Sequence, residues 1–275
     1  MSTAAPAESV PVAVAHSGAS RAALAARDIL AMTWRNLLTI RRVPQLLVFA
    51  TIQPLLFVLL FRYAFGGSIS VPGVDYVNYL IPGIFAQVVA FGAINTAVGL
   101  AEDRRRGFIE RLRSLPMARS AVLVGRTFAD LCRNVLVCLL MLAVGFAVGF
   151  RVQTDAAKLV LGLIILLLFG YSLSWIFALV GLKAANAETA QAAAFPIMLP
   201  LVFASSAFVP TANMPHWLQV FAEHQPVTAA VNAVRALVLG GAWVEKVGIS
   251  LAWTAGILIV FVPLAVRAYR RGQAE

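Results

Sequence analysis

Six stretches of this chain run for 17 to 27 residues without a single charged side chain: 43–61, 76–101, 134–150, 159–182, 189–215 and 247–266. A helix crossing the hydrocarbon layer of a bilayer needs roughly 20 such residues. The runs are continuously apolar and lack the period-two alternation of barrel strands, so each predicts a helix. The expected fold is all-α, a polytopic membrane protein with six transmembrane helices. The third run is the shortest, and the preceding turn lengthens it if Arg133 snorkels to the interface.

Composition agrees with this reading. Hydrophobic residues make up 61% of the 275 and charged residues only 12%, against about 25% charged in an ordinary soluble domain. A net charge of +10 could suggest nucleic acid. Here the basic residues sit in clusters between apolar runs, which points to membrane topology and to no nucleic-acid partner. Residues 1–20 have neither a basic start nor a long apolar stretch, and are expected to form a disordered cytoplasmic tail. Cys132 and Cys138 lie six apart on one predicted helix, too far along its axis for a disulfide.

Orientation follows from the positive-inside rule. Seventeen Lys and Arg residues fall at the two ends, in the second-to-third loop and at Lys183, leaving Arg62, Arg151, Lys158, Arg235 and Lys246 for the opposite side. Both termini are therefore expected to be cytoplasmic in a multi-pass protein of the plasma membrane. Before the first span, residues 21–42 place Ile29, Leu30, Met32, Trp34, Leu37 and Ile40 on one arc and Arg27, Asp28, Arg35 and Arg42 on the other. This is an amphipathic interfacial helix, which anchors the chain and could also touch a partner subunit. The span region runs 43–269, with a short tail at 270–275.

Several functions lose their footing. No run contains an ionisable residue for binding a coupling ion, and the amides within them, Gln53, Gln87 and Asn95, read as helix-to-helix hydrogen bonds more than as substrate ligands. Acids on the outside are scattered at Asp75, Asp155, Glu223 and Glu245, so no filter or acidic ring is apparent. A phosphate-cradling loop of the Walker type ends in Gly-Lys-Ser/Thr and no Gly-Lys pair exists, so no nucleotide site is expected in this chain. His216, Glu223 and His224 lack the spacing of a zinc helix. No catalytic residue, metal or cofactor is expected.

The cytoplasmic loop 102–119 is the most informative segment. Phe108, Ile109, Leu112 and Leu115 form one apolar stripe on a short helix bracketed by Gly107 and Pro116, and Glu110 gives it both charge signs. Such a helix either docks into a groove of a soluble protein or packs on the lipid surface. Further on, Asp130 stands four residues after Arg126 and three before Arg133, an ion-pair ladder at the mouth of the third span that serves as an anchor or in transport. Gly145 and Gly149 form a small-xxx-small pair for close helix packing.

The string Gly107-Phe108-Ile109-Glu110-Arg111-Leu112 with Pro116, then Val124-Gly125-Arg126, resembles the loop after the second span in permease subunits of the ABC-2 family, particularly exporters of the daunorubicin-resistance type. A second resemblance lies in the external segment 210–245, where Pro210, Met214-Pro215, Trp217-Leu218, Gln225-Pro226-Val227-Thr228 and Arg235 follow the family's pattern. There Gln225 replaces the commoner Asn. The resemblance implies a coupling helix (Gly107, Phe108, Ile109, Glu110, Leu112, Pro116) seated on a separate ABC ATPase subunit that binds ATP and magnesium. It implies a pair of permease halves, here expected to be a homodimer, and lipophilic compounds leaving between them. Met214, Pro215, Trp217, Pro226 and Arg235 would belong to an outer gating segment. By periodicity, Val227, Val231, Val234, Leu237 and Val238 give the helix after Pro226 an apolar face, with Thr228, Asn232 and Arg235 near its polar side. That helix either dips into the outer leaflet or lies on it. The expected function is the permease subunit of an ATP-driven exporter of a drug, antibiotic or lipid-like compound. The alternative is a membrane scaffold or lipid-modifying enzyme that uses no ATP.

Overall fold

The computed structural model describes residues 21–42, 45–66, 71, 73–108, 111 and 121–271. Among them every regular element is helical. In chain order these are α1 (Arg21–Arg42), α2 (Gln45–Leu59) with a π-helical continuation Leu60–Phe65, α3 (Tyr76–Gly92), α4 (Ile94–Arg105), α5 (Ala121–Ala147), α6 (Ala156–Lys183), α7 (Ala187–Phe203), α8 (His216–Glu223), α9 (Pro226–Leu239) and α10 (Trp243–Arg271). A 3₁₀ turn, Thr211–Asn213, precedes α8.

Four helices are long and apolar enough to span a membrane: Tyr76–Arg105, Ala121–Ala147, Ala156–Lys183 and Trp243–Arg270. They make the chain a polytopic membrane protein, its backbone satisfied inside each helix. The first and fifth apolar runs give shorter helices. α2 contains Pro54, and α7 carries Pro196 and Pro200 and stops at Phe203, well before the apolar run ends. A count of uncharged residues cannot register such a stop, because the residues from Ala204 to Pro215 carry no charge either, and Ser205 to Phe208 are buried. α10 continues through Arg271, so the expected boundary at residue 270 falls inside a helix. The expected tail at 1–20 lies outside the described residues.

Local chemistry sets the helix ends. Asp155 caps α6 by accepting from the Lys158 N–H at 2.8 Å, and Asn186 caps α7 through the Thr189 N–H at 2.8 Å. α5 ends before Gly149, whose φ of +101° requires glycine. Gly149 therefore lies outside the helix, and the expected pair with Gly145 is not a helix-packing motif. Gly145 packs within the chain against Ile81.

α6 is the central post, contacting α3, α4, α5, α7, α9 and α10. Gly181 permits the close crossing with α4, since a Cβ there would collide with the Ala97 backbone. The main core joins α3, α6, α7 and α9 through Leu80, Ile84, Phe169, Phe177, Met198 and Val231. A second core at one end joins Met32, Leu100, Leu123, Trp175 and Tyr269. In contrast to α3, which is buried almost throughout, α7 buries only the stripe Ala190, Ala194, Met198 and Val202.

Candidate functional site

The stretch 76–105 is interrupted at one residue, Ala93, between α3 and α4. An interruption leaves carbonyls without their usual partners, and in a membrane each must be satisfied. Arg133 on α5 donates to the Gly92 carbonyl at 2.6 Å, and Arg126 donates to the Asn95 carbonyl at 2.9 Å. Between them Asp130 accepts from Thr96 Oγ1 at 2.6 Å and lies 3.3 Å from Arg133 and 3.7 Å from Arg126. The ladder read from sequence is thus real but faces inward. The expected snorkelling of Arg133 is overturned: its side chain sits near the middle of α5, buried against α3, because α5 begins thirteen residues before the third apolar run.

Beside this cluster lies a cavity of about 220 Å³ between α2, the α3–α4 junction, α5 and α7. Gln53, Gln87, Asn95, Arg133, Asn134 and Gln191 supply its polar wall, with Phe91, Val137 and Phe195 among its apolar residues. The expected role of the span amides as helix-to-helix ties does not hold. Asn95 Nδ2 bonds only three residues back, to the Gly92 carbonyl, and Gln87 Oε1 is buried with no hydrogen-bond partner. All three amides line the cavity instead.

At the far end of α4 the chain turns at Gly107, whose φ is +64°, into a helix turn in which the Arg111 N–H donates to the Gly107 carbonyl. Phe108 lies under the Arg35 guanidinium, 3.5 Å from ring centroid to Cζ, and Arg35 pairs with Asp103 at 2.6 Å. α1 is also fastened to α5, where Gly125 leaves no space for a Cβ beside Met32. α1, α4 and Phe108 therefore form one joint. Ile109, Glu110, Leu112 and Pro116 lie outside the described residues.

The segment expected to be external is built on Arg235. The backbone leaves the helix after Phe203, and its carbonyls are met one by one: Leu201 by Gln225 Nε2 at 2.9 Å, Ser206 by the Tyr79 hydroxyl at 2.9 Å, Ala207 by Arg235 Nη2 at 2.9 Å and Phe208 by the Tyr76 hydroxyl at 3.2 Å. Gln225 also caps α9 through the Val227 N–H. Ser206 binds Thr228 and Asn232. The expectation of an α9 with one polar side is corrected. Both faces are buried, and Arg235 and Thr228 point to this loop. Met214 and Pro215 precede α8, and Trp217 on α8 is 74% exposed, fit for an interfacial anchor. Glu223 accepts from Thr211 and Gln219, and no metal-binding cluster occurs among the described residues.

Sequence reading missed Asn134, Gln191, Tyr79 and the Arg35–Asp103 pair. One signal was present: Gly92, Thr96, Gly99 and Asp103 recur at helical spacing, a small and polar stripe within an apolar run.

Apolar helices long enough to span a bilayer, with a polar-walled cavity beside the α3–α4 junction, define a membrane-embedded helical protein. The family model for the ABC-2 type transporter matches residues 27–239, and the chain belongs to that family. It is 33% identical over 242 residues to the daunorubicin resistance ABC transporter permease protein DrrB1 of Streptomyces coeruleorubidus, covering 88% of this chain and 86% of the relative. It is 29% identical over 228 residues to a probable doxorubicin resistance ABC transporter permease protein, DrrC, of Mycobacterium tuberculosis, covering 82% of each. The putative transport permease ycf38 of Cyanophora paradoxa is 27% identical over 223 residues, 79% of this chain and 76% of the relative.

Proposed function

We propose that this chain is the transmembrane subunit of an ATP-driven exporter that moves a lipophilic, drug-like compound out of the cell, with ATP and magnesium held by a separate ATPase subunit. The carrying observation is the similarity to drug-resistance permeases along nearly the whole chain, joined to a cavity wall that contacts the segment leading to the loop.

In this reading the ATPase sits beneath loop 102–119 and its push enters through Gly107 and Phe108. Arg35 and Asp103 pass it to α4, a rod of 12 residues and about 18 Å, whose other end borders the cavity. The chain crosses the plasma membrane six times, α2 with its π-helical extension and α7 supplying the first and fifth crossings. One end of the bundle gathers α1, Arg104, Lys183 and the end of α10, which supports a cytoplasmic location for both termini. The cavity's outer rim, Gln53, Gln191 and Phe195, is exposed beside apolar Ile52, Leu56 and Leu199. A second copy of the chain against this face, as a homodimer, would close it.

The test is reconstitution of the chain in liposomes with and without its ATPase subunit, measuring uphill flux of a lipophilic dye. Flux only with both subunits and ATP is expected; uphill flux by the chain alone would overturn the reading.

A further inference from the structure

The charge around the cavity is unbalanced. Two guanidinium groups, Arg126 and Arg133, share one carboxylate, Asp130. Asp130 is turned away toward Thr96, whereas Arg133 is a wall residue of the cavity. Among the described residues no Asp or Glu lines the cavity, and the remaining polar wall is amide. In a low-dielectric setting an excess positive charge attracts an anion strongly and repels a cation. Arg133 is nine-tenths buried, so water screens it little. Gln87 Oε1, also in the wall and unpartnered, seeks a hydroxyl or N–H donor.

We propose that this cavity selects amphiphiles whose polar end is an acid, a carboxylate or an acidic phenol, over those whose polar end is a cation. The proposal rests on the exporter reading and names the charge class of its cargo. The acid would face Arg133 and the amide N–H groups of Asn134 and Gln191, a neighbouring hydroxyl would serve Gln87, and the apolar body would lie along Phe91, Val137 and Phe195. A protonated amine would find amide oxygens but no carboxylate in the wall.

The test uses the permease with its ATPase subunit in lipid nanodiscs and three probes of one shape: 1-naphthylacetate, 1-naphthylethanol and 1-naphthylmethyltrimethylammonium. Binding is read by calorimetry, which requires no hydrolysis. The acid should bind at least about tenfold more tightly than the ammonium compound. Arg133→Gln should abolish that difference and Arg133→Lys should keep it. Equal affinities, tighter binding of the ammonium probe, or no binding of any probe to the unaltered protein would overturn the proposal. Flux is measured separately. ATP-driven export of a dye without acid preference leaves the exporter reading and sinks the charge selection; acid preference without any export does the reverse.

Discussion

The guanidinium of Arg235 lies 3.4 Å from the centroid of the Tyr79 ring and donates from Nε to the Tyr79 carbonyl at 3.0 Å. The same group bonds Ala207 and Ser206, so one side chain on α9 ties α3 to the non-helical backbone after α7. Arg235→Ala would leave those carbonyls unpaired in a buried place. It should lower stability by about 3 kcal/mol, the usual cost of breaking a buried polar network. Thermal unfolding in detergent measures this, and Arg235→Lys should recover only part of it, having no planar fork. An unchanged melting temperature for Arg235→Ala would refute the role of the network.

The Arg35–Asp103 pair should matter to coupling more than to stability. It is partly exposed, and such a pair contributes about 1 kcal/mol or less. Asp103→Arg should reduce ATP-driven flux several-fold while the protein still inserts and assembles. The exchange Arg35→Asp with Asp103→Arg should restore most of it. Flux indifferent to Asp103→Arg would remove the pair from the coupling path.

Two glycines separate close packing from mere helical presence. Gly181→Leu drives atoms into the Ala97 backbone, and should destabilise by several kcal/mol, in the range of overpacking at an unyielding contact. Gly256→Ala on α10 meets nothing within 4 Å and should be neutral or gain up to about 1 kcal/mol. Parallel melting curves of the two variants decide it; equal effects would contradict the α4–α6 crossing.

Asp155 gives a pH dependence. The Lys158 backbone N–H, then the Lys158 side chain, hold its carboxyl below the ordinary value. Its contribution is therefore present above the unfolded-state pKa and lost as pH falls through the lower folded-state value. Asp155→Asn keeps the cap but removes this titration, so its acid-limb melting curve should be flatter than that of the unaltered protein.

Much of the fold was legible in residues. The uncharged runs located α6 and α10 within a few positions, because charge and capping residues sit close to their ends. They misplaced the start of α5, since Arg126, Asp130 and Arg133 count as charge in sequence yet are held in space by one another and by the carbonyls of the α3–α4 junction. The end of α7 was hidden for the opposite reason, an uncharged loop whose carbonyls depend on Tyr76, Tyr79, Gln225 and Arg235 from distant segments. At the candidate site the helical spacing of Arg126, Asp130 and Arg133 was readable, but the side they face was not. That depends on the interruption at Ala93, which no single residue announces.

The interruption at Ala93 makes the second span a rod in two pieces. One piece, α3, is fastened to the loop beyond α7 and to Arg235; the other, α4, is tied through Asp103 to Arg35 of α1, whose guanidinium lies over Phe108. Both pieces pack against α5, α6 and α7, and at the boundary side-chain bonds from Arg133 and Arg126 join the backbone bonds of Ala93 and Thr96. In the proposed exporter the half beside the loop and the half beside Arg235 can diverge separately, so a permease of this build can keep its motor while its cargo changes.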